Sequence, residues 1–122
     1  MAMLRVENGA LNLRLSRPEK LGALHGDVRV ACDAVEDLYV SRRPFGELRG
    51  VRAPGTGVPG RIALGTWRYR GGKDFAALYG GKPAVIVHLR DAPFRRLLVS
   101  ADDAEPLAAA IAGGCAHLPQ AR

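Results

Sequence analysis

The chain has 122 residues, of which 48% are hydrophobic and 25% charged, values typical of a globular protein large enough to bury a core. No apolar run approaches the roughly 18–20 residues that a membrane-spanning helix needs, so no membrane-spanning helix is expected. Residues 1–7 lack the basic start and apolar stretch of a signal peptide, which predicts the cytoplasm.

Charge is unevenly distributed along the chain. The net charge is +6, yet residues 42–96 hold 12 basic and 3 acidic side chains, a balance of +9, against −3 for the rest. Such a basic middle suits anionic partners such as phospholipid or nucleic acid. A solvated arginine-rich surface is the alternative interpretation.

The first third of the chain predicts short β-elements and one helical turn. Asn8-Gly9 predicts a tight hairpin turn, followed by an alternating strand that places Leu11, Leu13 and Leu15 inward. Residues 16–22 predict a helical turn, with Ser16 as its cap and Glu19 three residues later. Residues 27–32 and 35–40 then alternate like two further strands.

The middle of the chain is rich in glycine and proline. Residues 42–48 predict a loop or a single turn, and residues 50–60, with four glycines and two prolines, predict a long irregular connection. Residues 61–69 predict a strand that carries the only tryptophan, Trp67. Residues 71–74 then predict a turn, and residues 75–79 predict local packing.

The clearest pattern runs over residues 84–112. A β-branched apolar run at 84–89, a break at Pro93 and a return run at 94–100 together predict a hairpin. The adjacent pair Arg95 and Arg96 must split between the two faces of that strand, so at least one is expected in solvent. Asp102 and Glu105 predict a capping box for a short helix that ends at 113–114 and lies on a sheet.

Seven or eight short strands and one terminal helix predict a mainly β protein with a C-terminal α-helix. Across roughly residues 3–113 the chain resembles bacterial pleckstrin-homology-like (PH-like) domains of small actinobacterial proteins. Three stretches carry the resemblance: the strand pair at 27–40, the loop 52–60 with 63–66 and 72–75, and residues 98–100 with the acidic cap and final helix.

The resemblance implies a PH-like barrel or sandwich of two near-orthogonal antiparallel sheets, capped by the helix. The chain length predicts one domain, over residues 1–114, and the lack of periodicity after Gly114 predicts a loose tail at 115–122. PH-like folds host lipid binding, peptide binding and scaffolding, so the fold alone does not decide the function. Lipid-binding members use a basic loop between their first strands, whereas here that turn is only Asn8-Gly9.

Several residue patterns that could carry chemistry have simpler structural interpretations. Gly55 to Gly60 matches the letters of a dinucleotide fingerprint, but the β pattern that follows denies it the required helix, so the match is interpreted as coincidence. Two cysteines, Cys32 and Cys115, are too few for a disulfide framework or a zinc site and are interpreted as a small core residue and an incidental one. The three histidines, His25, His88 and His117, lack metal-ligand spacing, and the acids Asp33, Glu36 and Asp37 are interpreted as solvated surface.

Basic side chains that flank the long loops form the one candidate binding set, because guanidinium groups pair well with phosphate. The candidate anion-binding residues are Arg42, Arg43, Arg49, Arg52, Arg61, Arg68, Arg70 and Lys73. No catalytic, cofactor-binding or metal-binding residue is predicted, and no cofactor. The leading hypothesis is a non-enzymatic PH-like module that binds a protein partner or itself as a homo-oligomer. An anionic-ligand binder, lipid headgroup first and nucleic acid less so, is the alternative, and an enzyme of unknown class comes third.

Overall fold

A computed structural model of the chain describes residues 1–115. The strands within this range are β1 (Met3–Glu7), β2 (Ala10–Arg14), β3 (Val28–Ala31), β4 (Val35–Ser41), β5 (Val51–Val58), β6 (Ile62–Tyr69), β7 (Gly72–Tyr79), β8 (Ala84–Leu89) and β9 (Arg96–Ser100). The helices are α1 (Arg17–Ala23) and α2 (Ala104–Gly114), and short 3₁₀ turns lie at Cys32–Ala34 and Pro44–Glu47. The protein is thus mainly β with a C-terminal helix, as predicted.

The small sheet has the order β1-β2-β3, with both pairs antiparallel. The predicted Asn8-Gly9 turn joins the first two strands, and both residues have the positive φ that this turn requires. Leu11, Leu13 and Leu15 are all buried, so the predicted alternation is confirmed.

Helix α1 begins as the sequence predicted. The Ser16 side chain accepts from the Glu19 backbone N–H, and the Glu19 carboxylate accepts from the Ser16 backbone N–H, completing a capping box. The second Glu19 oxygen accepts a hydrogen bond of 2.5 Å from the Tyr79 hydroxyl on β7. Burial alone would raise the pKa of Glu19, but these hydrogen bonds from Tyr79 and Ser16 lower it below its usual value.

The large sheet has the order β4-β8-β9-β7-β6-β5. Strands β8 and β9 form the predicted antiparallel hairpin, with Ala84 opposite Ser100. Strand β9 then inserts between β8 and β7 and runs parallel to β7. The expectation of two purely antiparallel sheets is therefore wrong for this pair, and the two sheets do not close into a barrel within residues 1–115.

Two stretches that the sequence placed outside the sheet are strands. The glycine- and proline-rich stretch forms edge strand β5, whose register against β6 shifts between Arg52 and Gly55. Gly55 and Gly65 face each other there, both with φ above +130°, and a Cβ on either would collide with backbone of the opposite strand. Because glycine has no Cβ, the two backbones can approach this closely. The glycines therefore belong to a pair of strands and not to a loop. Strand β7 likewise replaces the predicted turn and local packing at 71–79.

The N-cap of helix α2 lies one residue later than the predicted Asp102. This residue, Asp103, makes no side-chain capping bond, and the helix runs through Gly114. Asp102 is instead held by the Lys82 ammonium at 2.5 Å, so it does not serve as the cap. Ala108, Ile111 and Ala112 are buried and Leu107 is partly buried, and α2 packs on β1, β4 and β8, so the prediction that this helix lies on a sheet is confirmed.

The two cysteines form a disulfide that joins the 3₁₀ turn before β4 to the end of α2. The interpretation of Cys115 as incidental is therefore wrong: its side chain is buried and bonded, and it belongs to the folded part. The rest of the predicted loose tail, residues 116–122, lies outside the described residues.

The main core lies between one face of the large sheet and a cover made by the small sheet, α1 and α2. Phe75, Val87, Leu97 and Val99 point into it from the central strands and are fully buried. The small sheet and the two helices thus cover this face of the large sheet. Within residues 1–115 neither helix has the length and hydrophobicity needed to cross a membrane.

Candidate binding surface

The opposite face of the large sheet, called here the second face, carries a separate apolar cluster. Its members are small or aliphatic side chains and one indole: Ala63, Trp67, Ala76, Leu78, Ala84, Ile86 and Leu98. They alternate along their strands with residues of the main core, as the period of two in a strand requires. Residues 42–50, called here the covering segment, contribute Phe45 and Leu48 to this cluster, and both are only partly buried. The second face is therefore more thinly covered than the first.

Charged side chains occupy one end of the second face and form a polar cluster. Its centre is Arg96 on β9, which is 4% exposed and bonds the Asp74 carboxylate through Nε at 2.9 Å and Nη2 at 2.8 Å. Arg96 also donates from Nη2 to the Glu47 carbonyl at 2.5 Å and from Nη1 to the Glu47 carboxylate at 3.3 Å. One arginine thus joins the sheet to the covering segment.

A second arginine completes the polar cluster from the covering segment. Arg49 donates to Asp74 at 3.2 Å and to the Tyr69 hydroxyl at 2.7 Å, and its guanidinium lies 4.1 Å from the Tyr69 ring centre. The Tyr69 hydroxyl donates in turn to Asp74 at 2.6 Å, and Tyr39 donates to Glu47 at 2.9 Å. Two cations therefore meet two carboxylates, and within residues 1–115 no buried side-chain nitrogen or oxygen lacks a hydrogen-bond partner.

Titration in this region follows burial and charge. Burial raises the pKa of Tyr69, and its hydrogen bond to the Asp74 carboxylate raises it further; burial and Glu47 do the same for Tyr39. Burial lowers the pKa of His88, and the positive charge of Arg96 adds to that effect. Tyr39, Tyr69 and His88 are thus favoured in their neutral forms beside the paired charges.

Beyond the polar cluster, an apolar groove of about 300 Å³ opens on the second face. Ala63 and Trp67 of β6 line it, together with Phe45 and Leu48 of the covering segment. The end of β5, the turn after it and the start of β6 also line the groove, with Gly57, Val58, Pro59, Gly60 and Ile62. Val58 of β5 is among the lining residues and is 46% exposed.

Arg52 is the one charged residue among the residues that line the groove. Its guanidinium donates to the Gly57 carbonyl at 3.5 Å, which is the outer limit for a hydrogen bond. A Cβ on Gly57 would collide with this guanidinium, so the glycine gives Arg52 its place. A weakly held cation beside an apolar floor can bind an anionic group without first breaking an ion pair.

A second pocket adjoins the groove, because Phe45 lines both. Its basic residues are Arg42, Arg43 and Lys82, and no acidic residue lines it. Arg42 pairs with Glu105 at 2.7 Å and Lys82 with Asp102 at 2.5 Å, whereas the Arg43 side chain has no partner within residues 1–115. Arg43 is therefore the cation of this pocket that is free to bind a ligand.

A third pocket, called here the basic basin, lies near the turn between β6 and β7 and has a volume of about 540 Å³. Arg68, Lys73 and Arg95 line it without an acidic neighbour in the lining. Arg68 donates to the Ala53 carbonyl and Arg95 to the Gly71 carbonyl, each at 2.8 Å. These bonds to backbone carbonyls hold the guanidinium groups of Arg68 and Arg95 in place, but they do not compensate the positive charge of either group.

The eight candidate anion-binding residues do not converge on one site. Six of them divide among four places: Arg42 and Arg43 lie in the second pocket, Arg52 in the groove, Arg68 and Lys73 in the basic basin, and Arg49 in the polar cluster. Arg61 and Arg70 lie in the turns that begin and end β6 and line none of these pockets.

Sequence reasoning missed the residues that organise the second face. Asp74 was assigned to a turn, and Glu47 to a loop, because their partner Arg96 is distant along the chain. The one available signal was the pair at 95–96, for which we expected at least one residue in solvent. The structure confirms this, with Arg95 exposed and Arg96 buried.

The match to a dinucleotide fingerprint is not followed by a helix. Residues 55–60 lead from β5 into strand β6 rather than into a helix. The interpretation of this match as coincidence predicted that no helix would follow. Within residues 1–115 no group of three or more histidine, cysteine or acidic side chains is placed to hold a metal ion.

Taken together, these features define a small two-sheet β domain with a C-terminal helix and a thinly covered sheet face. Comparison with protein families, curated proteins and solved structures finds no match to this chain.

Proposed function

We propose that this protein is a non-enzymatic interaction module that binds a protein partner through the second face of its large sheet. The observation that carries the proposal is the groove beside Trp67, with its apolar lining, its weakly held Arg52 and the partly exposed Val58. Aromatic and arginine side chains at such positions are the residues that dominate protein–protein binding energy.

The shape of the surface favours a peptide segment over a compact small molecule. The groove and the second pocket share Phe45, so together they form an extended surface along the covering segment. An extended chain can place one apolar side chain in the groove while its neighbours contact the adjoining pocket. The proposal therefore names a linear segment of a partner protein as the ligand.

The pairing within the polar cluster supports a role without catalysis. Its carboxylates and guanidinium groups satisfy one another, and they tie the covering segment to β7 and β9. A catalytic acid or base needs a free position next to a substrate. The cluster instead holds Phe45 and Leu48 in place beside the groove.

Self-association is the second form of the same proposal. Edge strand β5 is exposed and could pair with another copy. However, Pro54 has no N–H to donate, and the register of β5 shifts once across it, between Arg52 and Gly55, which limits regular pairing. We therefore favour a different protein as the partner. A discrete oligomer in light scattering with size-exclusion chromatography would instead favour a second copy.

A PH-like fold remains part of the proposal. The terminal helix that follows the last strand, and the two mainly antiparallel sheets, support it. The parallel pair β7–β9 and the inserted helix α1 are features that the resemblance does not imply. An experimental structure with the strands in this order, compared with PH-like domains, tests the assignment.

The basic basin supports a second candidate function, binding of an anionic ligand. Arg68, Lys73 and Arg95 line it with no acidic neighbour in the lining, as a phosphate-bearing ligand would require. A salt-sensitive affinity for inorganic phosphate or anionic vesicles that is lost in Arg68→Glu would support this candidate. Equal binding to that variant would count against it.

The cytoplasm is the compartment we propose, and the cysteine pair provides its test, because the disulfide seen in the fold favours an oxidising compartment instead. Disulfides persist in oxidising compartments and are rare in the cytosol. Alkylation of thiols at the moment of lysis should therefore find Cys32 and Cys115 reduced in cells and able to bond on later oxidation. Complete protection from the alkylating reagent in cells would contradict the cytoplasmic assignment.

Selection from a library of short random displayed peptides tests the proposed function. We expect selected peptides to bind the wild-type protein and to lose binding to Val58→Asp, which places a charge at the groove. The matched control is Val51→Asp, because Val51 lies on the same strand and is 70% exposed but does not line the groove. Peptides that bind both variants equally would place the interaction elsewhere.

A further inference from the structure

We infer that the partner segment carries a bulky apolar side chain next to acidic residues. This inference rests on the proposed function and specifies the chemistry of the ligand. The apolar side chain would enter the groove beside Trp67, and carboxylates would bind Arg52 and Arg43.

Charge is the first observation behind this inference. The groove and the second pocket are lined by four basic residues, Arg42, Arg43, Arg52 and Lys82, and by no acidic residue. Glu47 of the covering segment already bonds Arg96 and Tyr39 in the polar cluster. An acidic ligand would therefore meet attraction along the whole surface, whereas a basic one would meet repulsion.

The availability of each cation is the second observation. Arg42 and Lys82 already have carboxylate partners, Glu105 and Asp102, so they add little to the attraction. Arg52 bonds only a backbone carbonyl at 3.5 Å, and the Arg43 side chain has no partner within residues 1–115. One free guanidinium thus lies in each of the two adjoining pockets.

The geometry of guanidinium groups selects the ligand chemistry. Arginine presents paired donors that match the two oxygens of a carboxylate. Phe45 separates the pocket of Arg43 from the groove of Arg52 while lining both. The segment is therefore expected to have an aromatic or aliphatic anchor with at least one Asp or Glu close to it in sequence.

The test uses the peptides selected on the full chain, synthesised and measured by isothermal titration calorimetry. We expect enrichment of Asp and Glu around an apolar position. We also expect Arg52→Glu and Arg43→Glu each to weaken binding by about tenfold or more, and higher salt to weaken wild-type binding. Arg70→Glu is the control, because it makes the same charge change at a turn residue that lines neither pocket.

The outcomes separate this inference from the proposed function. Peptides that require Val58 but show no acidic enrichment, and no loss on Arg52→Glu, would overturn the inference and leave the groove as the binding site. Acidic peptides that bind Val58→Asp and Arg70→Glu equally weakly would indicate general charge attraction and overturn the inference as well. If no selected peptide needs Val58 for binding, both the inference and the proposed function are wrong. A second copy of the chain as the occupant would appear as concentration-dependent association without peptide.

Discussion

At the scale of single residues, Arg96 has the largest structural consequence. It is buried on β9 and joins Asp74 of β7 to Glu47 of the covering segment, so its charge is compensated by two carboxylates. Without Arg96, the buried Asp74 keeps only Arg49 and the Tyr69 hydroxyl, and Glu47 keeps only the Tyr39 hydroxyl, so both carboxylates lose their main cation.

Arg96→Leu is therefore expected to lower the free energy of unfolding by about 3–5 kcal/mol, measured by chemical denaturation. Arg70→Leu, at an exposed position in the β6–β7 turn, should change it by less than about 0.5 kcal/mol. Equal effects of the two substitutions would show that the polar cluster does not stabilise the fold.

His88 gives the second prediction, because its pKa is lowered in the folded protein by burial and by the charge of Arg96. Asp37 and Asp74 oppose this effect, and Arg49 adds to it, without reversing the direction. The unfolded chain takes up a proton at the ordinary pKa of about 6.5, whereas the folded protein resists it. Stability from this group is thus present above about pH 6.5 and is lost as the pH falls below it.

The slope of stability against pH checks this prediction. Between about pH 7.5 and about pH 5.5 the wild-type protein should lose stability, and His88→Gln should lose less over the same range. A variant with the same slope as the wild-type protein would exclude His88 as the titrating group.

Gly65 gives the third prediction. Its φ of +137° is rare for other residues, and a Cβ would collide with the Pro54 carbonyl across the strand pair. Gly65→Ala should therefore lower the free energy of unfolding by at least about 2 kcal/mol. Gly46→Ala, where no atom lies within 4 Å of a built Cβ, should be close to neutral in the same denaturation experiment. Similar values for both would contradict the close approach of β5 and β6.

At the scale of elements, local signals predicted those structures whose contacts are close in sequence. The Asn8-Gly9 hairpin, the capping box of α1 and the β8–β9 hairpin all follow from residues a few positions apart. Strand β5 was missed because glycine and proline ordinarily end strands. Here the edge position tolerates Pro54, and Gly55 allows the two backbones to approach.

The parallel pairing of β7 with β9 had no local signal. The residues that meet, such as Phe75 and Leu97, are buried on the same sheet face but distant in sequence. The division of the basic candidates among separate pockets could not be predicted for the same reason. Their positions depend on where β5, β6 and the covering segment lie relative to one another.

The disulfide gives a prediction at this scale, because it closes a loop with a sequence separation of 83 residues between Cys32 and Cys115. Cross-linking so long a loop restricts the unfolded chain and stabilises the fold by about 4 kcal/mol in the chain-entropy account. The double variant Cys32→Ser/Cys115→Ser should lose stability of this order relative to the oxidised protein. Reductant should change the stability of the wild-type protein but not that of the variant; identical wild-type stability with and without reductant would contradict the prediction.

At the scale of the whole molecule, the large sheet divides the protein into two unlike sides. One face is closed by the small sheet and both helices, while the second face depends on the covering segment and its polar cluster. Small side chains at Ala63, Ala76 and Ala84 let that segment lie close to the sheet. The groove is the part of the second face that the segment leaves open.

This asymmetry underlies the proposed function. A face held by one paired cluster presents apolar side chains in fixed positions, and free arginines border it. Binding then requires little reorganisation, which favours affinity. The central claim is that a partner segment occupies the groove beside Trp67.

Trp67 itself offers the most direct measurement, because it is the only tryptophan in the chain and lines the groove. Its fluorescence should be followed during titration with a tryptophan-free selected peptide, with an acrylamide quenching measurement at each end. The account predicts a saturable change in emission and weaker quenching at saturation in the wild-type protein and in Val51→Asp, and neither change in Val58→Asp. Peptide binding that leaves the emission and quenching of Trp67 unchanged would contradict the account.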